Sequence, residues 1–166
     1  MINTRYKSFE TNSSSTHCLV ITPKKDYEKD FEIQLNEEGE LAVTGWDQLS
    51  EYTAYGLYEK LAYMLSWMYL RENDNPCWTD KKEFEDLVYP SDNFDSMYDD
   101  EYETILKCIK KHYPQVKAIR LTDIRWINWD HQTAPYESDF VIDLDNEEQI
   151  EGYLFNDDAI VRVGRD

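Results

Sequence analysis

The stretch from Leu57 to Leu70 constrains this chain more than any other. Leu57, Leu61, Leu65 and Met68 recur at helical spacing, with Ala54 and Tyr58 beside them. Tyr63, Met64 and Trp67 occupy the other sides of the same helix. A helix that is apolar nearly all round has no face to give to water, so it is covered on more than one flank. The absence of proline extends the expected helix from Leu49 to about Arg71, with Asp47 or Ser50 as its cap. Its Met and aromatic stripe reads as packing, not as a cofactor site.

A chain of 166 residues supplies enough neighbours for such a helix within one domain, residues 1–166. Hydrophobic content of 41% and aromatic content of 14% argue against disorder. Thirteen Tyr and five Trp point to a core built from rings that tolerate a wet edge.

Ahead of the helix, residues 18–22 are apolar and β-branched and stop at Pro23, which predicts a strand. Residues 31–35 alternate, Asn36-Glu37-Glu38-Gly39 supplies turn chemistry, and residues 40–44 continue, which predicts a β-hairpin. After it, Thr79 or Asp80 is expected to cap a short helix ending before Pro90, with a loop over 91–98. Asp99-Asp100-Glu101 opens a further helix that ends at Pro114. Its acidic start and its Lys107, Lys110, Lys111 and His112 complement the helix dipole.

Residues 116–121 read as a strand, extended through Ile124, Trp126 and Trp129, with 140–142 as its hairpin partner. Asp145 is expected to cap a short helix through Leu154, and residues 159–163 to make a closing strand. Strands flanking a helical middle predict an α+β fold. Its mainly antiparallel, mixed sheet packs against the central long helix and two or three further helices.

The net charge of −18 disfavours direct binding to nucleic acid and to anionic membranes, and it favours basic partners. Cys18, Cys77 and Cys108 are odd in number and far apart, without metal-ligand or redox spacing. The first residues lack the apolar core of a signal peptide, and no apolar run matches a bilayer-spanning helix. A cytoplasmic location is the resulting expectation.

Three places could carry function. The first is Thr11-Asn12-Ser13-Ser14-Ser15-Thr16-His17, where Ser13, Ser14 or Ser15 could act as a nucleophile with His17 as base, or the turn could cradle an anion. Runs of Ser, Thr and Asn are also ordinary loop formers. The second is Asp130-His131-Gln132, where an imidazole beside a carboxylate could be a tuned base. A solvent-facing turn before Pro135 explains the same residues. No cofactor is predicted, and the histidines and carboxylates leave a divalent metal open although no short ligand spacing supports one. The third is the acidic surface: Asp92, Asp95, Asp99, Asp100, Glu101 and Glu103, then Glu147, Glu148 and Glu151, with Tyr98 and Tyr102 as aromatic anchors. The plain alternative is a solvated face. No glycine-rich phosphate loop, zinc-cysteine framework or nucleophile elbow occurs in the sequence.

Phe9-Glu10-Thr11-Asn12-Ser13-Ser14-Ser15-Thr16-His17, Asp130-His131-Gln132-Thr133, and Leu154-Phe155-Asn156 with Gly164-Arg165-Asp166 resemble patches of a set of small proteins from bacteriophages and related mobile elements. That ending is usually closer to Gly-Asn-Asp, so Arg165 departs from the pattern. The resemblance brings no established activity. It implies a phage context, an infected or host bacterial cell as the location, and three distant patches sharing one site.

Two functional expectations follow. One is an acidic protein that inhibits or redirects a basic host protein, such as a nucleic-acid-binding defence or transcription factor, by imitating a phosphate backbone. The other is a small hydrolase or transferase using the Ser/Thr cluster, His17, Asp130, His131 and Asn156. A virion or assembly component is a third.

Overall fold

The computed structural model describes residues 4–10, 15–21, 32–45, 52–54, 56–72, 86–92, 94, 96, 98–123, 142–156 and 159–165, of which 4–10, 15–21, 52–54, 72 and 160–165 are described by their backbone. In chain order the elements are β1 (Thr4–Glu10), β2 (Ser15–Ile21), β3 (Glu40–Thr44), β4 (Tyr52–Ala54), α1 (Leu57–Glu72), β5 (Leu87–Tyr89), α2 (Asp99–His112), β6 (Ala118–Thr122), α3 (Glu147–Leu154) and β7 (Ile160–Arg165). The fold is α+β.

Helix α1 begins where Gly56 offers its N–H to the Glu59 carboxylate at 2.8 Å, one half of a capping box. From there Leu57, Leu61, Met64, Leu65 and Met68 are buried to 1% exposure or less, and Tyr63 and Trp67 on the other sides are also buried. The all-round apolar pattern is satisfied by a sheet on one flank, where α1 meets β3 and β6, and by α3 on another. Leu41, Val43, Ile119 and Leu121 of the sheet, Ile105 and Ile109 of α2, and Ile150 and Leu154 of α3 complete the core.

Among the described residues the strands form two sheets. One is antiparallel, in the order β1-β2-β7-β4. The other is mixed, in the order β3-β6-β5, with β3 parallel and β5 antiparallel to β6. Arg120 on β6 ties the mixed sheet together. Its Nε donates to Glu40 at 2.6 Å and a terminal nitrogen donates to Asp86 at 3.2 Å.

Several expectations are corrected. The hairpin joining 31–35 to 40–44 does not form: residues 32–36 are not a strand, and β3 pairs with β6. The backbone of this segment is used otherwise. Gln34 exchanges hydrogen bonds with the Tyr58 hydroxyl, and the Asn36 side chain closes the turn onto Glu40. That turn, with Gly39 at φ +86°, is tied to the residue ahead of β6 by Lys117 N–H donating to Gly39 at 2.9 Å.

The long helix starts at Leu57, not Leu49, because residues 52–54 pair with β7. The segment before Pro90 ends in a strand, β5, not a helix. Asn146, not Asp145, caps α3 by accepting from Gln149 N–H at 3.2 Å. β2 reaches back to Ser15, so part of the polar run is strand. The proposed extension through Trp129 and the residues 140–141 of its expected partner lie outside the described residues.

Candidate interaction surface

The acidic N-terminus of α2 is assembled on an aromatic support. Tyr89 of β5, Phe94 of the following loop and Tyr102 of α2 form a trio with ring centroids 4.8, 4.9 and 5.7 Å apart. Edge and offset contacts of this kind fix one element on another. The loop and the first turns of α2 are thereby held together, which brings Asp92, Asp99, Asp100 and Glu103 to one region.

Tyr98, the N-cap of α2, makes no side-chain cap. Its ring instead lies under the Arg71 guanidinium, 3.4 Å from the ring centroid, and its N–H donates to Ser96 Oγ at 2.9 Å. Arg71, near the end of α1, also covers Trp67 and pairs with Glu101. A single cation from the core helix therefore consumes one carboxylate of the cluster and orders the tyrosine beside it.

The other carboxylates here are not neutralised in this way. Asp92, Asp99, Asp100 and Glu103 are exposed, and among the described residues none of them is in an ion pair. Their field is felt nearby. The Tyr89 phenol titrates above its ordinary range, first because it is buried and then because of the charges of Asp99, Glu103 and Asp100. The acids at 99 and 100 also face the positive end of the helix dipole.

The α3 carboxylates are placed differently. Lys107 of α2 pairs with Glu147, and Lys111 bridges Glu147 at 2.6 Å and Glu151 at 2.7 Å. His112 stacks on Phe155 at 3.9 Å beside them. These lysines serve packing between two helices. Of the three acids expected to face a partner on α3, Glu148 alone is exposed and outside this network.

Four residues of the expected surface therefore change role. Tyr102 is fully buried and is part of the core, not an anchor for a partner. Glu101 is held by Arg71, and Glu147 and Glu151 by Lys107 and Lys111. Tyr98 stays half-buried at the edge of the cluster. Asp95 lies outside the described residues.

No protein-family model, curated protein or solved structure matches this chain. The residues alone carry the functional reading.

Of the expected polar site, Ser13, Ser14, Asp130 and His131 lie outside the described residues. Ser15 and His17 are on β2, opposite Arg165 and Val163 of β7. Asn156 is buried just ahead of β7, where its carbonyl accepts from Lys60 Nζ at 2.7 Å and from Ala159 N–H at 2.9 Å. Ile160, at that end of β7, pairs with Val20, and Ser15 pairs with the opposite end. The strand thus separates Ser15 from the Asn156 end by about 17 Å, at roughly 3.4 Å per residue. Among the described residues no group of three His, Cys, Asp or Glu could hold a metal ion. Nor is any described helix long and apolar enough to cross a membrane.

Sequence reading missed the Arg71 clamp and the buried Lys60. The signal for Lys60 was its place inside an otherwise apolar helix. Nothing local announced that Arg71 would meet Glu101, thirty positions away.

Proposed function

We propose that this chain is an acidic binding protein that engages a basic, nucleic-acid-binding host protein and inhibits or redirects it. The contact surface is the N-terminal end of α2. Asp92, Asp99, Asp100 and Glu103 steer the partner, Tyr98 gives an aromatic edge, and Glu148 adds a further charge. The phage-like patches of the sequence motivate the host context.

One observation carries this reading. The cations Arg71, Lys107, Lys111 and Arg120 are engaged with Glu101, Glu147, Glu151, Glu40 and Asp86, while the four carboxylates around α2 are left facing water. Charges that a fold could pair but does not are available for intermolecular steering. Asp99 and Glu103 are four residues apart, so they stand roughly 6 Å apart along the helix axis. A row of this kind offers lysines and arginines the charge pattern they meet on a phosphate backbone.

The test is an affinity capture from bacterial lysate with the native chain and with the Asp92→Asn, Asp99→Asn, Asp100→Asn, Glu103→Gln variant. The expected result is a basic protein retained at about 0.05 M salt, released well before about 0.5 M, lost by the variant and displaced by duplex DNA. Equal capture by the variant, or a captured protein indifferent to DNA, overturns the reading.

A further inference from the structure

We propose that the open edge of β3 is a docking site for an extended, lysine- or arginine-bearing peptide segment of a partner protein. The segment adds to the mixed sheet as a further strand. This site is separate from the α2 surface and does not depend on it.

The site comes from two chain arms that meet at a turn and stay apart above it. At the turn, Asn36 N–H donates to the Glu40 carbonyl at 3.1 Å, and Glu40 N–H donates to the Asn36 side chain at 2.8 Å. Continued pairing would set Gln34 against Ala42, two residues further along each arm. Gln34 is taken elsewhere. The Tyr58 hydroxyl of α1 accepts from its N–H at 2.5 Å and donates to its carbonyl at 3.3 Å. A groove of about 400 Å³ results, lined by Glu32, Gln34, Leu35 and Asn36 of one arm, Ala42 of the other, and Tyr58.

The other half of that missing pair is left at the sheet edge. β3 ends the order β3-β6-β5, so one of its edges has no strand neighbour among the described residues. Successive residues of a strand turn their backbone groups to opposite edges. Val43 faces β6, where its carbonyl accepts from the Thr122 hydroxyl at 3.3 Å, and Gly45 N–H donates to the Thr122 carbonyl at 2.6 Å. Glu40 faces the other way, onto Asn36. Ala42 therefore presents its N–H and C=O to the groove, and no described residue pairs with them. An unpaired edge is a template for an incoming strand, and β3 carries neither the lysine nor the proline that commonly guards one.

Charge selects the occupant. Glu32 on the groove and Glu37 and Glu38 at the turn are exposed, and among the described residues none of them is in an ion pair. Lys117, beside the turn, donates its ammonium to the Glu38 backbone carbonyl at 3.1 Å and not to these carboxylates. An open edge pairs with any extended backbone, and these acids favour one that carries lysine or arginine. The net charge of −18 opposes a second copy of this chain at the same edge.

The experiment is a proton–nitrogen NMR titration of the full chain at about 0.05 M salt with the peptide acetyl-Lys-Val-Lys-Val-Lys-amide, beside the same peptide N-methylated at every residue. Saturable shifts are expected at the amides of Gln34, Leu35, Ala42 and Thr44, and they should persist in the chain neutralised at Asp92, Asp99, Asp100 and Glu103. N-methylation removes the peptide's backbone donors and keeps its charge, so it should abolish the shifts. Ala42→Pro deletes the donor at the open edge without touching the bonds to β6, and is expected to weaken binding about tenfold. Glu32→Gln is expected to weaken it about threefold. Unchanged Leu61 and Ile105 amides report that a variant is folded. If Ala42→Pro is not, Tyr58→Phe, which frees Gln34 to close on Ala42, is the second probe and should also weaken binding. The proposal is overturned by the absence of saturable shifts, by equal binding of the N-methylated peptide, by loss of the shifts in the neutralised chain, or by undiminished binding in folded Ala42→Pro or Tyr58→Phe. Concentration-dependent shifts at the same amides without peptide would assign the edge to a second copy of this chain and overturn it as well.

Discussion

Lys60 lies at 0% exposure on the helix that forms the core, where an ammonium group is costly without partners. Its Nζ donates to the Asn156 carbonyl, just past the end of α3, and its own carbonyl accepts from the Tyr153 hydroxyl at 2.9 Å. α3 has no basic residue in its last turn, so the cation that complements its dipole comes from α1. The Asn156 carbonyl also accepts from Ala159, so removing the ammonium does not orphan it. Three substitutions should therefore rank in order. Tyr153→Phe removes one neutral hydrogen bond, about 0.5–1.5 kcal/mol. Lys60→Met keeps the apolar stem and loses a charged bond, about 1.5–3 kcal/mol. Lys60→Ala adds a cavity, as core truncations that cost about 2–5 kcal/mol do. Urea unfolding midpoints measure the order. A stabilised Lys60→Met would show that desolvating the ammonium costs more than its bonds contribute.

The α2–α3 pair shows how elements are joined and what a sequence can announce. α2 was legible because its apolar period, acidic first turn and basic last turn agree. The centre of α1 was legible for a similar reason, a pattern too apolar for any exposed face. Its start was not, since residues 52–54 are drawn into pairing with β7, more than a hundred residues onward. The false hairpin has the same origin: alternation marks a strand-like segment but does not name its partner, and β3 found β6 instead. The acidic site was legible as residue types only. Which carboxylates stay free depended on Arg71, Lys107 and Lys111 arriving from other elements.

The same helix pair makes a pH prediction. Burial first, then the charge of Glu151, pushes the Cys108 thiol up to about 11, and hydrogen bonds to Glu147 and Glu151 raise the Lys111 ammonium. Both groups keep their proton longer when folded, so their contribution is intact below the unfolded values of 9.0 and 10.5 and fades as pH rises through the folded ones. Glu147, held down to about 2 first by Lys107 and then by Lys111, works in the other direction. Glu40 is also lowered, first by its hydrogen bond to Arg120. Their contribution is intact above the unfolded value of 4.5 and is lost as pH falls through the folded ones. Thermal melts should show stability falling above about pH 9 and below about pH 4.5. In a Cys18→Ala, Cys77→Ala background, Cys108 should resist a thiol reagent at pH 8 until the protein is unfolded. Rapid labelling of the folded form would contradict its burial.

At the scale of the whole molecule, 35 acidic residues face 17 basic ones, and two electrostatic effects oppose each other. Salt weakens the exposed Lys107 and Lys111 pairs, each worth little on a surface. It also screens the self-repulsion of a chain at −18, which acts on every carboxylate at once. The second effect is the larger, so Tm should rise as ionic strength goes from about 0.01 M to about 0.15 M and the Debye length shrinks from roughly 30 to 8 Å. The variant neutralised at Asp92, Asp99, Asp100 and Glu103 separates fold from function on this basis. It loses helix-dipole stabilisation of about 0.3–1 kcal/mol for each of the acids at 99 and 100, and it gains relief from repulsion of similar size. Its stability should stay within about 1 kcal/mol of the native chain, and its Tm should respond less to salt. A loss well beyond that, read from the same melts, would mean that these carboxylates belong to the fold. The acidic surface would then lose its claim to a partner.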